Sequence, residues 1–258
     1  SEKFGNAMSV HSFGQTALEA VDKARKNVAN FFGAEASEIV FTSGATESNN
    51  LVVKGVLRAY YSKPENKNKK PHIITTAFEH HCVLDACKSV EKEGLAEVTF
   101  LKPDKEGLIS VENIKKAIKS NTILVSVMYV NNEIGTVQPI KEIGKMIKTQ
   151  NVKRKTQNGN SSMFYVPCSM IFHTDATQAV NYFDCNVDKL GVDFLSMSAH
   201  KIYGPKGIGA LYIRKGTPIK PVQDGGGQEW GKRAGTHNVP GIIGLAQALA
   251  EVKNKKSK

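Results

Sequence analysis

The sequence contains no run of about eighteen or more apolar residues, the length that a membrane-spanning helix needs. From Ser1 onward it also lacks the order of basic and then apolar residues that marks a secretory signal. These absences predict a protein without membrane contact that works inside the cell, in the cytoplasm or in a mitochondrial or other organellar matrix.

Cysteine is scarce, because only Cys82, Cys87, Cys168 and Cys185 occur in 258 residues. Their spacing is not the paired CxxC of a zinc site, and their density is far below that of a secreted disulfide scaffold. We therefore expect reduced thiols in ordinary packed or surface positions, and no metal site.

Aromatic residues are not interleaved with the basic ones, as they would be on many nucleic-acid-binding surfaces. The net charge is +11, but the lysines are dispersed, with local clusters only at 63–70, 153–155 and 253–258. Solvated loops and a polar tail explain such clusters, so we expect no nucleic-acid partner.

The sequence does contain a repeating order of amphipathic segments and short β-rich runs separated by turns, which is the pattern of an α/β protein. Its composition and length fit one large domain, 1–258. The polar, basic stretch 151–169 has no periodicity and predicts a surface insertion. The predicted helices cover residues 15–32, 45–61, 82–93, 111–120, 139–149 and 240–252. The predicted strands cover residues 38–42, 72–76, 98–101, 122–129, 170–174, 194–198 and 208–214.

Polar residues follow the predicted strands at five places, where ligands of open α/β sheets usually bind. These places are Ser43–Thr46, Glu79–His81, Asn131–Glu133, Asp175–Gln178 and Ser198–Lys201. The first puts a hydroxyl at a helix N-terminus, where unpaired N–H groups favour a phosphate. A helix cap formed by Thr46 is the simpler alternative at that place.

Asp175 and Lys201 together match the two demands of pyridoxal phosphate. That cofactor needs a lysine amine for a Schiff base and a carboxylate facing the pyridine nitrogen, which makes the ring an electron sink. Taken singly, Asp175 also fits a surface cap and Lys201 a solvated cation. The hydroxyl of Ser198 and the imidazole of His200, close to the lysine, favour the cofactor.

Five long segments resemble consecutive motifs of the cysteine desulfurases, which belong to the class V aminotransferase group of fold-type I pyridoxal-phosphate enzymes. They are FTSGATESNNLVVKGV, VMYVNNEIGTVQPI, FHTDATQAV, SAHKIYGPKGIGALYIRKG and GGGQEWGKRAGTHNVPGIIG. The resemblance implies the large domain of that fold, a mostly parallel mixed sheet between helices. It also implies that an N-terminal segment and a C-terminal small domain, with the mobile nucleophilic cysteine, are absent from this chain.

The family's roles carry over to matching positions. The resemblance makes Lys201 the Schiff-base lysine, Asp175 the partner of the pyridine nitrogen, and His80 a ring-stacking acid/base. It places the remaining cofactor contacts at Ala45, Thr46, Asn132, Gln178, Ser198 and His200, and gives Thr236 to the phosphate of a neighbouring subunit.

The implied activity is conversion of L-cysteine to L-alanine, with the sulfur passed to an enzyme persulfide for iron–sulfur cluster or thio-cofactor synthesis. The implied partners are a second copy of the chain and an iron–sulfur scaffold or other sulfur acceptor. Two alternatives stay open. One is a cofactor-binding scaffold module without the persulfide cysteine, and the other is a relative that acts on selenocysteine or another amino acid.

Overall fold

The computed structural model describes residues 5–157 and 169–256, which form seven strands in one mixed sheet. The strand order is β1-β7-β6-β5-β4-β2-β3. The strands are β1 Ile39–Thr42, β2 His72–Thr76, β3 Glu97–Leu101, β4 Thr122–Ser126, β5 Ile171–Asp175, β6 Phe194–Ser198 and β7 Gly209–Ile213. β7 runs antiparallel to both of its neighbours, whereas the other adjacent pairs are parallel.

Helices cover both faces of this sheet. They are α1 Ser12–Phe32, α2 Ala45–Tyr61, α3 His81–Lys92, α4 Val111–Ala117, α5 Ile140–Gln157, α6 Val187–Leu190 and α7 Val239–Lys256. None of the helices in the two described ranges combines the length and apolarity that crossing a bilayer requires.

Two hydrophobic cores lie on opposite faces of the sheet, because successive strand residues point to opposite sides. The core under α2 and α3 contains Val40, Ile73, Leu124, Ile171, Phe194 and Leu211. The core shared by α1, α5 and α7 contains their chain neighbours Phe41, Ile74, Val125, Phe172, Leu195 and Ala210. Burial on both faces explains why these strands are continuous apolar runs in the sequence. The predicted α/β fold with a mixed sheet between helices is confirmed.

Several predicted boundaries differ from the structure, and the largest shift is at the end of α5. β4 ends at Ser126 instead of residue 129, although Val127 and Tyr129 still donate hydrogen bonds to the neighbouring strand at His173 O and Asp175 O. α5 continues to Gln157 instead of residue 149. Tertiary contacts hold this polar extension, because the Asn151 side chain exchanges two hydrogen bonds with the backbone of residue 170.

The predicted surface insertion 151–169 is therefore helical at its start. Residues 151–157 form the last part of α5. Residues 158–168, which include Cys168, lie outside the described residues. The interpretation of this stretch as an insertion stays a prediction.

Candidate active site

One cavity lies beyond the carboxyl ends of the parallel strands, and it brings together nine of the ten predicted site residues. Asp175 is the last residue of β5 and Ser198 the last residue of β6, so both strands deliver a polar side chain to the same edge. The predicted residues that line the cavity are Ala45, Thr46, His80, Asn132, Asp175, Gln178, Ser198, His200 and Lys201.

The N-terminus of α2 forms one wall of this cavity. Gly44 precedes the helix at φ 153°, a conformation that favours glycine, and it provides no side-chain cap. The Ala45 N–H instead donates to Ser198 Oγ at 2.8 Å, so that the end of β6 is joined to the start of the helix. The Ser198 hydroxyl keeps its own hydrogen for a ligand. This wall therefore presents a hydroxyl and the positive end of a helix dipole.

Lys201 and His200 lie beside that wall, on the short 3₁₀ turn Ala199–Ile202 that follows β6. Both are exposed in the chain. Partial burial, together with the charges of Lys201 and Lys206, lowers the pKa of His200. A neutral imidazole and a lysine amine thus face the cavity from one turn.

Asp175 provides the acidic group of the cavity and is 5% exposed. Its Oδ1 accepts the Thr177 N–H at 2.9 Å, and its Oδ2 accepts the Asn49 Nδ2 hydrogen at 2.7 Å. Both donors are neutral, and Asp175 forms no ion pair with any residue in 5–157 or 169–256. A buried carboxylate without a cationic partner is costly, so this one is suited to a cation that enters the cavity.

His80 enters the cavity from the start of α3, where it is the N-cap residue. Its Nδ1 accepts the backbone N–H of Cys82 at 3.2 Å and lies 3.0 Å from Cys82 Sγ. Because a backbone N–H can only donate, Nδ1 is the acceptor, and the neutral ring carries its hydrogen on Nε2.

Asn132 and Gln178 line the same cavity from two loops. The loop that carries Asn132 is shaped by its neighbour Asn131, whose amide donates to Phe78 O and accepts from the N–H groups of Glu133 and Ile134. Asn132 itself is exposed, so its side chain is free to meet a ligand.

Thr236 is the one predicted site residue that the structure does not bring into this cavity. It is exposed and lines a separate cavity with Ser43, Arg233 and His237. Its predicted contact with a neighbouring subunit stays a prediction.

Near the cavity also lie Cys82, Asn49 and Glu79, to which the sequence assigned no contact in the site. Cys82 was expected in an ordinary packed or surface position, and it is buried but also lines the cavity. Asn49 contacts Asp175 and Cys82. Glu79 joins the ends of β2 and β4, because one of its carboxylate oxygens accepts hydrogen bonds from Thr76 Oγ1 and the Met128 N–H. Asn49 lies within the segment FTSGATESNNLVVKGV and Glu79 within Glu79–His81, so the sequence puts both beside the predicted site without revealing their contacts.

None of the three described cysteines, Cys82, Cys87 and Cys185, is in a disulfide, and all are buried. Burial, reinforced by the charge of Asp175, raises the pKa of Cys82 to about 11. Burial likewise raises the pKa of Cys87 to about 12. These thiols stay protonated near neutral pH, which makes them poor nucleophiles.

The family model of the class V aminotransferases matches residues 1–155 and 165–258. The chain belongs to the class V aminotransferase family. Among the relatives of this class V chain is the cysteine desulfurase IscS of Dictyoglomus turgidum, which is 49% identical over 96% of the chain and 57% of the relative. Another is the cysteine desulfurase IscS of Rickettsia prowazekii, which is 48% identical over 99% of the chain and 57% of the relative.

Solved structures agree with the fold of this class V chain. A NifS-like protein superposes with a TM-score of 0.87 and 39% identity, over 99% of the chain and 64% of that protein. SspA in complex with cysteine superposes with a TM-score of 0.85 and 42% identity, over 97% of the chain and 65% of that protein. The chain thus spans a little over half the length of the curated relatives that it matches. The resemblance recognised in the sequence is confirmed.

Proposed function

We propose that this chain is the cofactor-binding part of a pyridoxal-phosphate-dependent cysteine desulfurase. The observation that carries the proposal is the shared cavity of Asp175, at the end of β5, and Lys201, on the turn that follows β6. The names of the relatives support the substrate, since they are cysteine desulfurases, and the superposed SspA structure contains cysteine.

The residues fit the cofactor at three points. The carboxylate of Asp175, held by two neutral donors, would face the pyridine nitrogen, and the amine of Lys201 would form the Schiff base. The α2 N-terminus with Thr46, Ser198 and His200 would hold the phosphate. Asn132 and Gln178 would contact the ring oxygen and the substrate carboxylate. When bound, pyridoxal phosphate supplies an electron sink for the bonds at the substrate Cα.

The chain's own groups limit how the reaction can proceed. His80 carries a hydrogen on Nε2 while its Nδ1 is occupied by the Cys82 N–H, so Nε2 is the atom through which it would exchange a proton. Cys82 keeps its proton near neutral pH and is not assigned the role of sulfur acceptor. We assign the persulfide to a different cysteine of the whole protein.

For the whole protein, the proposed reaction is attack of that thiolate on the sulfur of L-cysteine. The new S–S bond forms as the Cβ–S bond breaks, and protonation at Cβ releases L-alanine. We further propose a homodimer in which Thr236 meets the partner's cofactor phosphate. The persulfide would pass to an iron–sulfur scaffold or other acceptor, in the cytoplasm or an organellar matrix.

A cofactor-trapping experiment tests the proposal. The chain is incubated with pyridoxal phosphate, the absorbance spectrum is recorded before and after borohydride, and the adduct is mapped by mass spectrometry. We expect the adduct at Lys201 and its loss in Lys201→Ala. Lys206→Ala is the matched control, because Lys206 lies in the following loop and does not line the cavity. Absence of binding, or an adduct spread over surface lysines, would refute the proposed function.

Substrate identity needs a separate measurement on the protein with all of its domains. L-cysteine should yield alanine and a protein persulfide. Binding of the cofactor without release of alanine would favour a scaffold module. If the protein prefers selenocysteine when both amino acids compete, the alternative of a relative that acts on selenocysteine would be favoured.

A further inference from the structure

We propose that Asn49 is a positioning residue that orients the Asp175 carboxylate for the cofactor. This inference rests on the proposed function, because the orientation of the carboxylate matters for the bound cofactor. The contact between Asn49 and Asp175 is a feature of the chain without any cofactor. Asn49 lies one turn into α2 and is fully buried. Its Nδ2 is 2.7 Å from Asp175 Oδ2.

The chemistry of the contact determines which way the amide faces. A carboxylate oxygen accepts hydrogen bonds, so the NH₂ group of Asn49, and not its carbonyl oxygen, must point to Asp175. The same nitrogen is 3.0 Å from Cys82 Sγ. Both hydrogens of the amide therefore have acceptors, and the side chain cannot rotate without losing them.

This orientation leaves the Asn49 Oδ1 buried without a hydrogen-bond partner among residues 5–157 and 169–256. An unsatisfied buried oxygen destabilises a fold, and an apolar residue of similar size would avoid that cost. An asparagine at this buried position is explained if its NH₂ group is needed as a hydrogen-bond donor to Asp175, and not if the side chain only fills space.

Asp175 depends on Asn49 for the direction of one oxygen. The Thr177 N–H holds Oδ1, but rotation about the bond to the carboxylate group is stopped only when Oδ2 is held as well. When both Asp175 oxygens are held, the lone pairs that accept neither hydrogen bond keep a constant direction relative to the cavity. A charge-assisted hydrogen bond to a ring nitrogen depends strongly on that direction.

The sharpest variant is Asn49→Asp, because it keeps the shape of the side chain and replaces the donor by a second carboxylate. Asn50→Asp is the matched control, since Asn50 is the next residue on α2 and its side chain donates to the Thr46 carbonyl of the same helix. Each substitution is also made in an Asp175→Asn background. If Asn49 acts through Asp175, its effects must shrink in that background, whereas a purely structural role would leave them unchanged.

The first readout is cofactor affinity, from titration of the chain with pyridoxal phosphate. We expect Asn49→Asp to weaken binding by about tenfold or more, the order expected for a lost hydrogen bond to a charged group. In the Asp175→Asn background the same change should alter affinity by less than about twofold. Equal losses in the two backgrounds, or unchanged affinity in Asn49→Asp, would overturn the inference.

The second readout needs no cofactor. Two carboxylates in contact share a proton, so the stability of Asn49→Asp should fall between about pH 5 and pH 8 relative to the unsubstituted chain. Glu79, His173 and Cys82 also interact electrostatically with Asp175, and the Asp175→Asn background controls for them.

The extra pH dependence should be absent from Asn50→Asp and from the double variant Asn49→Asp/Asp175→Asn. If Asn49→Asp lacks it too, the contact is refuted. If Asn49→Asp shows the extra pH dependence but the unsubstituted chain binds no pyridoxal phosphate, the proposed function fails. The role of Asn49 in fixing the Asp175 carboxylate then still stands.

Discussion

Glu229 is expected to stabilise the fold by binding a buried arginine, and Glu229→Gln tests this most directly. The Glu229 carboxylate accepts two hydrogen bonds from Arg25 at 2.6 and 2.7 Å, one from the Phe41 N–H at 2.8 Å and one from His237 Nε2 at 2.6 Å. The Arg25 guanidinium lies over the rings of Phe41 and Trp230, at 4.5 and 4.7 Å from their centroids. One carboxylate thus joins α1, β1 and the loop that leads to Thr236.

The pKa of Glu229 gives the size of this contribution to the free energy of unfolding. Burial opposes ionisation, but the hydrogen bonds from Arg25 and His237 outweigh it and lower the pKa from 4.5 to about 2. A pKa difference of this size corresponds to roughly 3 kcal/mol of stability. Removing one partner of a buried ion pair typically costs about 3–5 kcal/mol, which is the same order. We therefore expect Glu229→Gln to lower the free energy of unfolding by about 3 kcal/mol at pH 7.

The direction in which the Glu229 pKa shifts determines how this stabilisation changes with pH. Because the folded-state pKa lies below the unfolded value, this stabilisation is present above about pH 4.5 and is lost as the pH falls towards 2. Urea unfolding of both proteins between pH 3 and pH 7 should show the two stability curves converging in acid. The control Glu112→Gln removes an exposed pair with Lys115 and should cost less than about 1 kcal/mol. A loss below 1 kcal/mol for Glu229→Gln, or curves that stay parallel down to pH 3, would contradict this account.

Three further predictions concern the surroundings of the cavity. Burial raises the pKa of Glu79 to about 8, above its unfolded value, so the chain should lose stability as the pH rises from about 4.5 to 8. Glu79→Gln should flatten that slope in urea unfolding, and an unchanged slope would disprove the raised pKa of the buried carboxyl. Alkylation of Cys82, followed by peptide mass spectrometry, should be slow at pH 7.5 and accelerate about tenfold per pH unit; a plateau near pH 8 would contradict a pKa of about 11. Gly209→Ala should cost about 1–3 kcal/mol in thermal unfolding, because its Cβ would lie 2.5 Å from Met197 O. Gly227→Ala is the control, because its Cβ would meet no atom of the described part of the chain within 4 Å. Equal costs would count against the close approach at Gly209.

Much of the fold could be predicted from local patterns. The bounds of α2, β2 and β6 agree with the predicted 45–61, 72–76 and 194–198. In these elements a strong apolar pattern ends at residues that favour a turn, such as the Ser43–Gly44 pair before α2. The last part of α5 could not be predicted in this way, because it is held by hydrogen bonds from Asn151 and Arg154 to distant backbone carbonyls and not by an apolar face.

The candidate site was predicted as a set of residues but not as a network. Position after a strand, helped by the family resemblance, indicated Asp175, Ser198 and Lys201. Nothing in the spacing of Asn49 and Asp175, which are 126 residues apart, indicates that their side chains touch. The buried pair of Arg25 and Glu229 was missed for the same reason, since Arg25 lies on an amphipathic helix where a charged residue is expected to face solvent.

The sequence by itself determined the order of helices and strands, the family, and which polar residues follow which strands, because these depend on neighbours within a few positions. Only the tertiary structure decided which polar atoms meet. Hydrogen bonds and ion pairs depend on separations of about 3 Å between atoms from distant segments. The packing of two helical layers on a twisted sheet sets those separations, and it brought Asn49 to Asp175 and placed Thr236 outside the cavity.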